Sequence, residues 1–158
     1  MGLVVHSASV LGVNAFGIEI QADVRRSGDF NFTLVGLPDG AVREAKDRVA
    51  AALAACGYTL GPRRIIINLA PSDIRKEGSS FDLPIAVGVL AGVGIVTDRD
   101  RLRRYALVGE LSLDGRVRGV RGALTVALAA RATGLTGLWF PKPTPRKPRW
   151  STACACSR

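Results

Sequence analysis

The fold class is decided by residues 16–35, whose sequence is FGIEIQADVRRSGDFNFTLV. Apolar and polar side chains alternate over 16–25, which predicts a strand with one solvated face. A Ser-Gly-Asp turn signal follows at 27–29, and the alternation resumes over 30–35. With the apolar segment 4–11 before it, this stretch predicts an antiparallel meander.

Further along the chain, helical and extended patterns are mixed. Apolar residues at helical spacing, bounded by capping residues and glycines, predict helices over 39–56, from about 80–82 onward, and over 122–132. Apolar runs predict strands over 63–69, 105–108 and 138–140, and Asp114-Gly115 predicts a hairpin over 111–118 with a type I′ turn. The segments 70–79 and 98–104 are predicted to be a polar and a charged loop. Because strands and helices do not strictly alternate, we expect an α+β fold.

The basic charge of the chain is concentrated near its C-terminus. The chain has 158 residues, a formal net charge of +9 and 47% hydrophobic residues. Residues 1–141 contain 17 Lys and Arg against 13 Asp and Glu, a net of +4, whereas residues 142–158 contain five basic residues and no acid. This composition excludes a wholly disordered chain, and no apolar run reaches the roughly 18 residues of a membrane helix. We therefore expect one domain over 1–141, no membrane partner and a cytoplasmic location.

Residues 142–158 differ from the rest of the chain in composition. Their sequence, KPTPRKPRWSTACACSR, has no apolar periodicity and holds two of the three cysteines. Back-translated with mostly G or C at third positions and shifted by one frame, it yields a helix-forming segment followed by a strand. The hypothesis is that this basic, Pro-rich tail is frameshifted and disordered, at the end of a fragment of a longer gene; sequencing the DNA across codons 138–158 tests it. The alternative is a genuine nucleic-acid-binding tail, in which Trp150 could stack on bases.

The sequence lacks the motifs of several catalytic and metal-binding classes. It contains no Gly-Lys pair, so it has no P-loop, and we expect no ATP hydrolysis by that route. The single histidine, His6, falls within a predicted strand, where we expect a structural role. Cys154-x-Cys156 is a short motif without a second pair, which argues against a zinc site. We expect this chain to bind no metal and no cofactor.

Four motifs occur in an order typical of one protein family. They are VGLPD over 35–39, Arg43-Glu44 with Asp47-Arg48-Val49, NLAPSDIRKEGSSFDLP over 68–84, and VGELSLDG over 108–115. On these motifs, residues 1 to about 141 resemble the N-terminal domain of the magnesium-chelatase-like AAA+ family, which includes the competence protein ComM and YifB. The resemblance implies a fold similar to ribosomal protein S5 domain 2 and to the Lon protease proteolytic domain.

The same resemblance implies a function. Family members carry an AAA+ ATPase module after this domain and are associated with hexameric, ATP-driven branch migration of DNA during recombination in natural transformation. This chain would be the N-terminal accessory domain of such a motor, a fragment without the ATPase module, and would aid hexamer assembly or DNA engagement. ATP and Mg would be bound only through the missing module, and the partners would be DNA and own-family subunits. Two alternatives remain, an inactive peptidase-like module that binds a protein partner and a small nucleic-acid-binding protein.

Lon-like chemistry would need a serine nucleophile and a lysine that acts as its base. Ser80 falls on the serine position, but Leu124 stands where the lysine should be. No lysine lies between Lys76 and Lys142. We therefore predict no peptidase activity, and we expect Ser79 and Ser80 to cap the following helix instead.

Basic clusters are the candidates for contact with nucleic acid. The candidate residues are Arg63, Arg64, Arg75, Lys76, Arg116 and Arg118, with further clusters at Arg101, Arg103, Arg104 and Arg121. Such side chains contact phosphates without reading sequence. The other interpretation is a solvated surface or subunit contacts, because residues 1–141 carry only +4.

Four further residues of the shared motifs are charged: Asp39, Arg43, Asp73 and Glu110. We expect them to set loop and cap geometry rather than to catalyse a reaction.

Overall fold

The computed structural model describes residues 3–11 and 14–141. It begins with two long strands, β1 (Leu3–Leu11) and β2 (Asn14–Arg26), which pair antiparallel along their length. A third strand, β3 (Asn31–Val35), follows the predicted turn. All three strands lie where the sequence predicted them, β1 from the segment 4–11 and the other two from the alternating pattern. The hypothesis on residues 142–158 lies outside the described residues.

The predicted antiparallel meander is wrong for its third strand. After β3 come helices α1 (Gly40–Arg43) and α2 (Ala45–Ala55), and then strand β4 (Arg63–Ala70). β4 lies between β2 and β3, antiparallel to the first and parallel to the second. A helical crossover joins β3 to β4, as parallel neighbours require. β4 takes the inner position because Ile65, Ile67 and Leu69 are fully buried there.

The next elements are helix α3 (Asp82–Gly92), the single-turn helix α4 (Arg99–Leu102) and strand β5 (Tyr105–Leu107). α3 is buried on most sides, because nearly all its side chains are apolar. α4 lies within the predicted charged loop. It forms because Asp98 caps it, accepting a hydrogen bond from the Arg101 backbone N–H at 2.9 Å.

A small hairpin of β6 (Glu110–Leu111) and β7 (Val117–Arg118) precedes helix α5 (Ala123–Ala132) and strand β8 (Gly137–Trp139). The hairpin is confirmed, but its predicted type I′ turn is wrong. That turn needs a positive φ at two central residues, and Asp114 does not have one. Instead Gly115 alone adopts φ +85°, its N–H donates to the Ser112 carbonyl, and the Ser112 N–H donates to the Arg116 carbonyl, both at 2.9 Å.

Six strands form one mixed sheet in the order β3-β4-β2-β1-β5-β8, and β2 is antiparallel to the other five. Helices α2 and α3 pack on one face over the main core, which includes Val5, Ile20 and Phe81. α5 covers part of the other face around Ala8 and Val126. This mixed arrangement is compatible with the predicted α+β class.

The direction of the strands defines two ends of the sheet. We call the end at which β1, β3, β4, β5 and β8 begin and β2 finishes the N-terminal end, and the opposite one the C-terminal end. Within the described residues, the longest helices have 11 residues, and none is long and apolar enough to cross a membrane.

Candidate functional site

The four shared motifs meet at the C-terminal end of the sheet. We name this region the motif junction and define it as residues 36–48, 71–82 and 109–111. The Lys76 N–H donates to the Leu37 carbonyl (3.2 Å), and the Asp39 N–H donates to the Lys76 carbonyl (3.0 Å). On its other side the loop is held by the Gly109 N–H, which donates to the Ser80 carbonyl at 3.0 Å. Backbone hydrogen bonds therefore fix the polar loop 71–81 between the two other segments.

Asp82 is the buried centre of the junction. Its carboxylate is 0% exposed and receives two hydrogen bonds from Arg48, Nε to Oδ2 at 2.8 Å and Nη2 to Oδ1 at 2.9 Å. The Leu111 N–H donates to Oδ2 at 3.1 Å, and Arg48 Nη2 also donates to the Ala41 carbonyl. The hydrogen bond to Asp82 raises the pKa of Arg48 above its usual value. This bidentate ion pair connects α2, the start of α3 and β6.

Asp39 shapes the first turn of α1. Its Oδ1 accepts the Val42 N–H at 2.7 Å, which is an N-cap, and its Oδ2 accepts the Gly78 N–H at 3.4 Å. Arg43 and Asp73 are exposed at the surface of the junction. Of these three motif residues, Asp39 is therefore the one whose side chain connects two segments.

Lys76 is not the surface contact that the sequence predicted. Its side chain is fully buried, and Nζ donates to the Pro71 carbonyl. Burial lowers the pKa of the Lys76 ammonium, and the negative charge of Asp73 opposes that shift. Backbone hydrogen bonds to Leu37 and Asp39 hold Lys76 so that its side chain lies inside the junction. A phosphate cannot reach the ammonium group there.

A cleft of about 390 Å³ is partly lined by residues of the junction and contains the serine position. It is lined by Ser79, Ser80, Glu110 and Arg121, together with small and apolar residues and Glu77. Ser79 Oγ donates to Glu110 Oε2 at 2.6 Å, whereas the Ser80 hydroxyl has no hydrogen bond within the described residues. No described lysine lines the cleft, and Leu124 is 75% exposed on α5. Among the described residues, the cleft therefore offers a serine hydroxyl without the lysine that Lon-like chemistry uses as its base.

The prediction that Ser79 and Ser80 cap the following helix is wrong. The N-cap position of α3 is Phe81, and no side-chain hydrogen bond caps this helix. The Ser79 hydroxyl bonds to the Glu110 carboxylate instead, because a charged acceptor makes the stronger hydrogen bond. The serine pair thus ties the loop to the hairpin rather than to α3.

The structure divides the predicted basic candidates between the two ends of the sheet. Arg63 and Arg64 begin β4 at the N-terminal end, where the loop and α4 residues Arg101, Arg103 and Arg104 also lie. At the C-terminal end are the exposed side chains of Arg75, Arg116, Arg118 and Arg121. Arg75 and Arg116 there form exposed ion pairs with Glu77 and Asp114.

Sequence reasoning missed Arg48 and Asp82 as site residues. Both belong to the shared motifs, and one signal could have identified them. Asp82 opens a helix that is otherwise apolar on all sides, and a buried carboxylate needs a charged or hydrogen-bonding partner. The search for that partner leads to the arginines of the other motifs.

Comparison with known protein families gives one match that covers most of the chain. Residues 20–144 match the family model described as subunit ChlI of Mg-chelatase. The match includes the whole motif junction, so the residues that meet in space are those of the matched family domain.

Three curated relatives illustrate the similarity. The chain is 44% identical over 131 residues to the uncharacterized protein YifB of Escherichia coli, covering 83% of this chain and 26% of that protein. It is 43% identical over 128 residues to the competence protein ComM of Haemophilus influenzae, covering 81% and 25%. An uncharacterized protein of Mycobacterium tuberculosis is 42% identical over 135 residues, covering 85% and 26%. The chain thus spans about a quarter of the length of these relatives.

Proposed function

The chain belongs to the Mg-chelatase subunit ChlI family, a family of Mg-chelatase-like AAA+ proteins, and on this premise we propose that it is the N-terminal accessory domain of a ComM-like motor that acts in DNA recombination. Its task would be to aid hexamer assembly with own-family subunits or to engage DNA during branch migration in transformation. The observation that carries the proposal is the family match over residues 20–144, together with 43% identity to a protein named for competence.

The fold belongs to the same proposal. We assign it to the ribosomal protein S5 domain 2-like, Lon-like class. Two features support the assignment, the mixed sheet with helices on both faces and the position of Ser80 in a cleft beside the hairpin. The same cleft supports the proposal that the chain has no Lon-like peptidase activity, because no described lysine lines it.

The proposal gives the chain a structural role in an ATP-driven machine rather than chemistry of its own. The sequence has no P-loop, so ATP and Mg would be bound by a module outside these 158 residues. The chain would position own-family subunits or DNA. The Arg48–Asp82 ion pair would support this role by keeping its three motif segments in one arrangement.

Salt-dependent DNA binding tests the DNA part of this function. The 158-residue chain is titrated into fluorescein-labelled single-stranded, duplex and branched DNA over a series of salt concentrations, and anisotropy is measured. We expect binding at low salt that weakens linearly on a log–log plot, because released counterions drive phosphate contacts. Absence of binding to all three substrates at low salt would count against DNA engagement.

A further inference from the structure

The arginines of the described chain are concentrated at the N-terminal end of the sheet. Nine lie there, on β2, on β4, in and after α4 and on α5: Arg25, Arg26, Arg63, Arg64, Arg99, Arg101, Arg103, Arg104 and Arg131. Four acids share this end, Asp23, Asp29, Asp98 and Asp100, so its net charge is +5. The other eight basic and nine acidic residues of 1–141 sum to −1. We name this N-terminal end the arginine end.

Strand register brings part of this charge into direct opposition. In the antiparallel pair of β2 and β4, Arg25 lies opposite Arg64, and Arg26 lies opposite Arg63. Like charges directly across a sheet reduce stability, so this arrangement does not help the domain to fold. A polyanion bound across the strands would remove the repulsion.

Most of these guanidinium groups are available to a ligand. Eight of the nine residues are exposed, and Arg63, the half-buried one, donates to the Leu60 carbonyl. Within residues 3–11 and 14–141, the ion pair at this end is that of Arg25 with Asp23, at 3.0 Å. Asp98 uses its carboxylate to cap α4. The positive charge is therefore mostly uncompensated by neighbouring side chains.

An aromatic groove adjoins the arginine end. Its volume is about 570 Å³, and it is lined by Arg101, Tyr105 and Trp139 with Asp98 and four apolar side chains. Trp139 is 60% exposed, although tryptophan side chains are usually highly buried. Exposed aromatic rings beside arginines are the surface on which unpaired bases stack, whereas duplex bases keep their faces covered.

We propose that the arginine end binds single-stranded nucleic acid, with phosphates on its arginines and an unstacked base on Trp139 in the groove. The inference rests on the proposed function, to which it adds a surface and a ligand form. It excludes the arginines of the C-terminal end, Arg75, Arg116 and Arg118, as the main contacts. Those lie outside the arginine end, among charged residues whose net charge is −1.

Two triple variants of equal charge test the surface. One carries Arg64→Gln, Arg103→Gln and Arg104→Gln at the arginine end. The matched control carries Arg75→Gln, Arg116→Gln and Arg118→Gln at the C-terminal end. All six side chains are exposed, and the five basic residues of 142–158 are present in both proteins. Binding to fluorescein-labelled oligothymidine is measured by anisotropy against salt, and melting temperatures verify folding.

For the arginine-end variant we expect the slope of log K against log salt to fall by roughly 2, because each phosphate contact on a single strand contributes roughly 0.7. The control variant should keep the wild-type slope. Trp139→Ala should weaken binding to oligothymidine roughly tenfold or more without changing the slope. Phe16→Ala, which removes an exposed aromatic ring at the C-terminal end, should leave the affinity unchanged.

Four results would overturn the inference. If the slope of log K against log salt falls in the control variant but not in the arginine-end variant, the arginine end is not the binding site. The proposed DNA function would still stand. If duplex DNA binds as tightly as oligothymidine and Trp139→Ala has no effect, the single-strand assignment is wrong. If polyglutamate competes as well as oligothymidine at equal charge, the surface recognises acidic protein instead. No binding by the wild type at low salt would remove the proposed DNA engagement itself.

Discussion

At the scale of single residues, burial decides what the charged side chains of the shared motifs do. Asp82 and Lys76 are both fully buried, and each is held by hydrogen bonds inside the motif junction. Exposed motif residues such as Arg43 and Asp73 have no such role in the described structure. A buried charge without its partner is costly, so these two positions are sensitive to substitution.

Asp82→Asn should destabilise the domain by roughly 3 kcal/mol, because it removes the buried counter-charge of Arg48 and leaves that guanidinium only its more exposed ion pair with Glu44, at 3.4 Å. The measurement is the free energy of unfolding in urea. The matched control is Asp23→Asn, which breaks an exposed ion pair with Arg25 and should cost less than about 1 kcal/mol. If both variants lose the same free energy of unfolding, burial does not make the Arg48–Asp82 pair more stabilising than an exposed ion pair.

Lys76→Met should change how stability depends on pH. Burial lowers the folded-state pKa of Lys76 below the usual 10.5, so the unfolded chain binds this proton more tightly. The lysine's contribution to stability is then full above pH 10.5 and is lost as pH falls through the folded pKa. Relative to Lys76→Met, the wild type should therefore gain stability as pH rises toward 10.5.

Urea unfolding at several pH values checks this expectation. Lys46→Met, which removes an exposed ammonium from α2, is the control for the general effect of losing a lysine. The same pH dependence in both variants would contradict a special role of burial at Lys76.

At the scale of elements, the junction depends on one close approach between backbones. Gly36 follows β3 with φ +97°, and a Cβ placed on it would overlap the backbone of Leu69 in β4. The close contact between Gly36 and Leu69 directs the chain into residues 37–39, which form backbone hydrogen bonds with Lys76. Only glycine fits there, for both conformational and steric reasons.

Gly36→Ala should destabilise the domain by roughly 3 kcal/mol through a strained φ and an enforced shift of β4. Gly28→Ala is the control, since a Cβ at Gly28 meets nothing within 4 Å and its φ is not positive. We expect that variant to stay within about 0.5 kcal/mol of the wild type. Thermal and urea unfolding compare the two; a tolerated Gly36→Ala would mean that the backbone can move away.

Sequence patterns located most elements, but their pairing and turn details needed tertiary contacts. Helices α1 and α2 between β3 and β4 were visible as one periodic segment, and this segment already implied a crossover between parallel strands. The meander prediction gave priority to neighbours in sequence, although β4 has the more apolar run and takes the inner position. The capping prediction for Ser79 and Ser80 failed because Glu110, 31 residues after Ser79, supplied a stronger partner.

At the scale of the whole molecule, charge is polarised along the strand direction. A net of +4 over residues 1–141 conceals +5 at the arginine end and −1 in the remainder. Such a field steers a polyanion to one end of the domain. The opposite end holds the shared motifs, so the family motifs and the proposed nucleic-acid surface occupy different ends of the sheet. The slope comparison of the two triple variants tests this separation.

The chain also spans only about a quarter of its relatives' length. The C-terminal end carries the junction and the cleft, and the arginine end carries the charge.

The sequence by itself determined the family, most of the strand and helix segments and the absence of a P-loop, because these depend on local order and spacing of residues. Only the tertiary structure decided that Lys76 is buried, that Arg48 pairs with Asp82, and that β4 separates β2 from β3. It also decided that nine arginines from distant segments share one end of the sheet. Burial, register and charge proximity arise between residues that are far apart in the chain, so local patterns do not specify them.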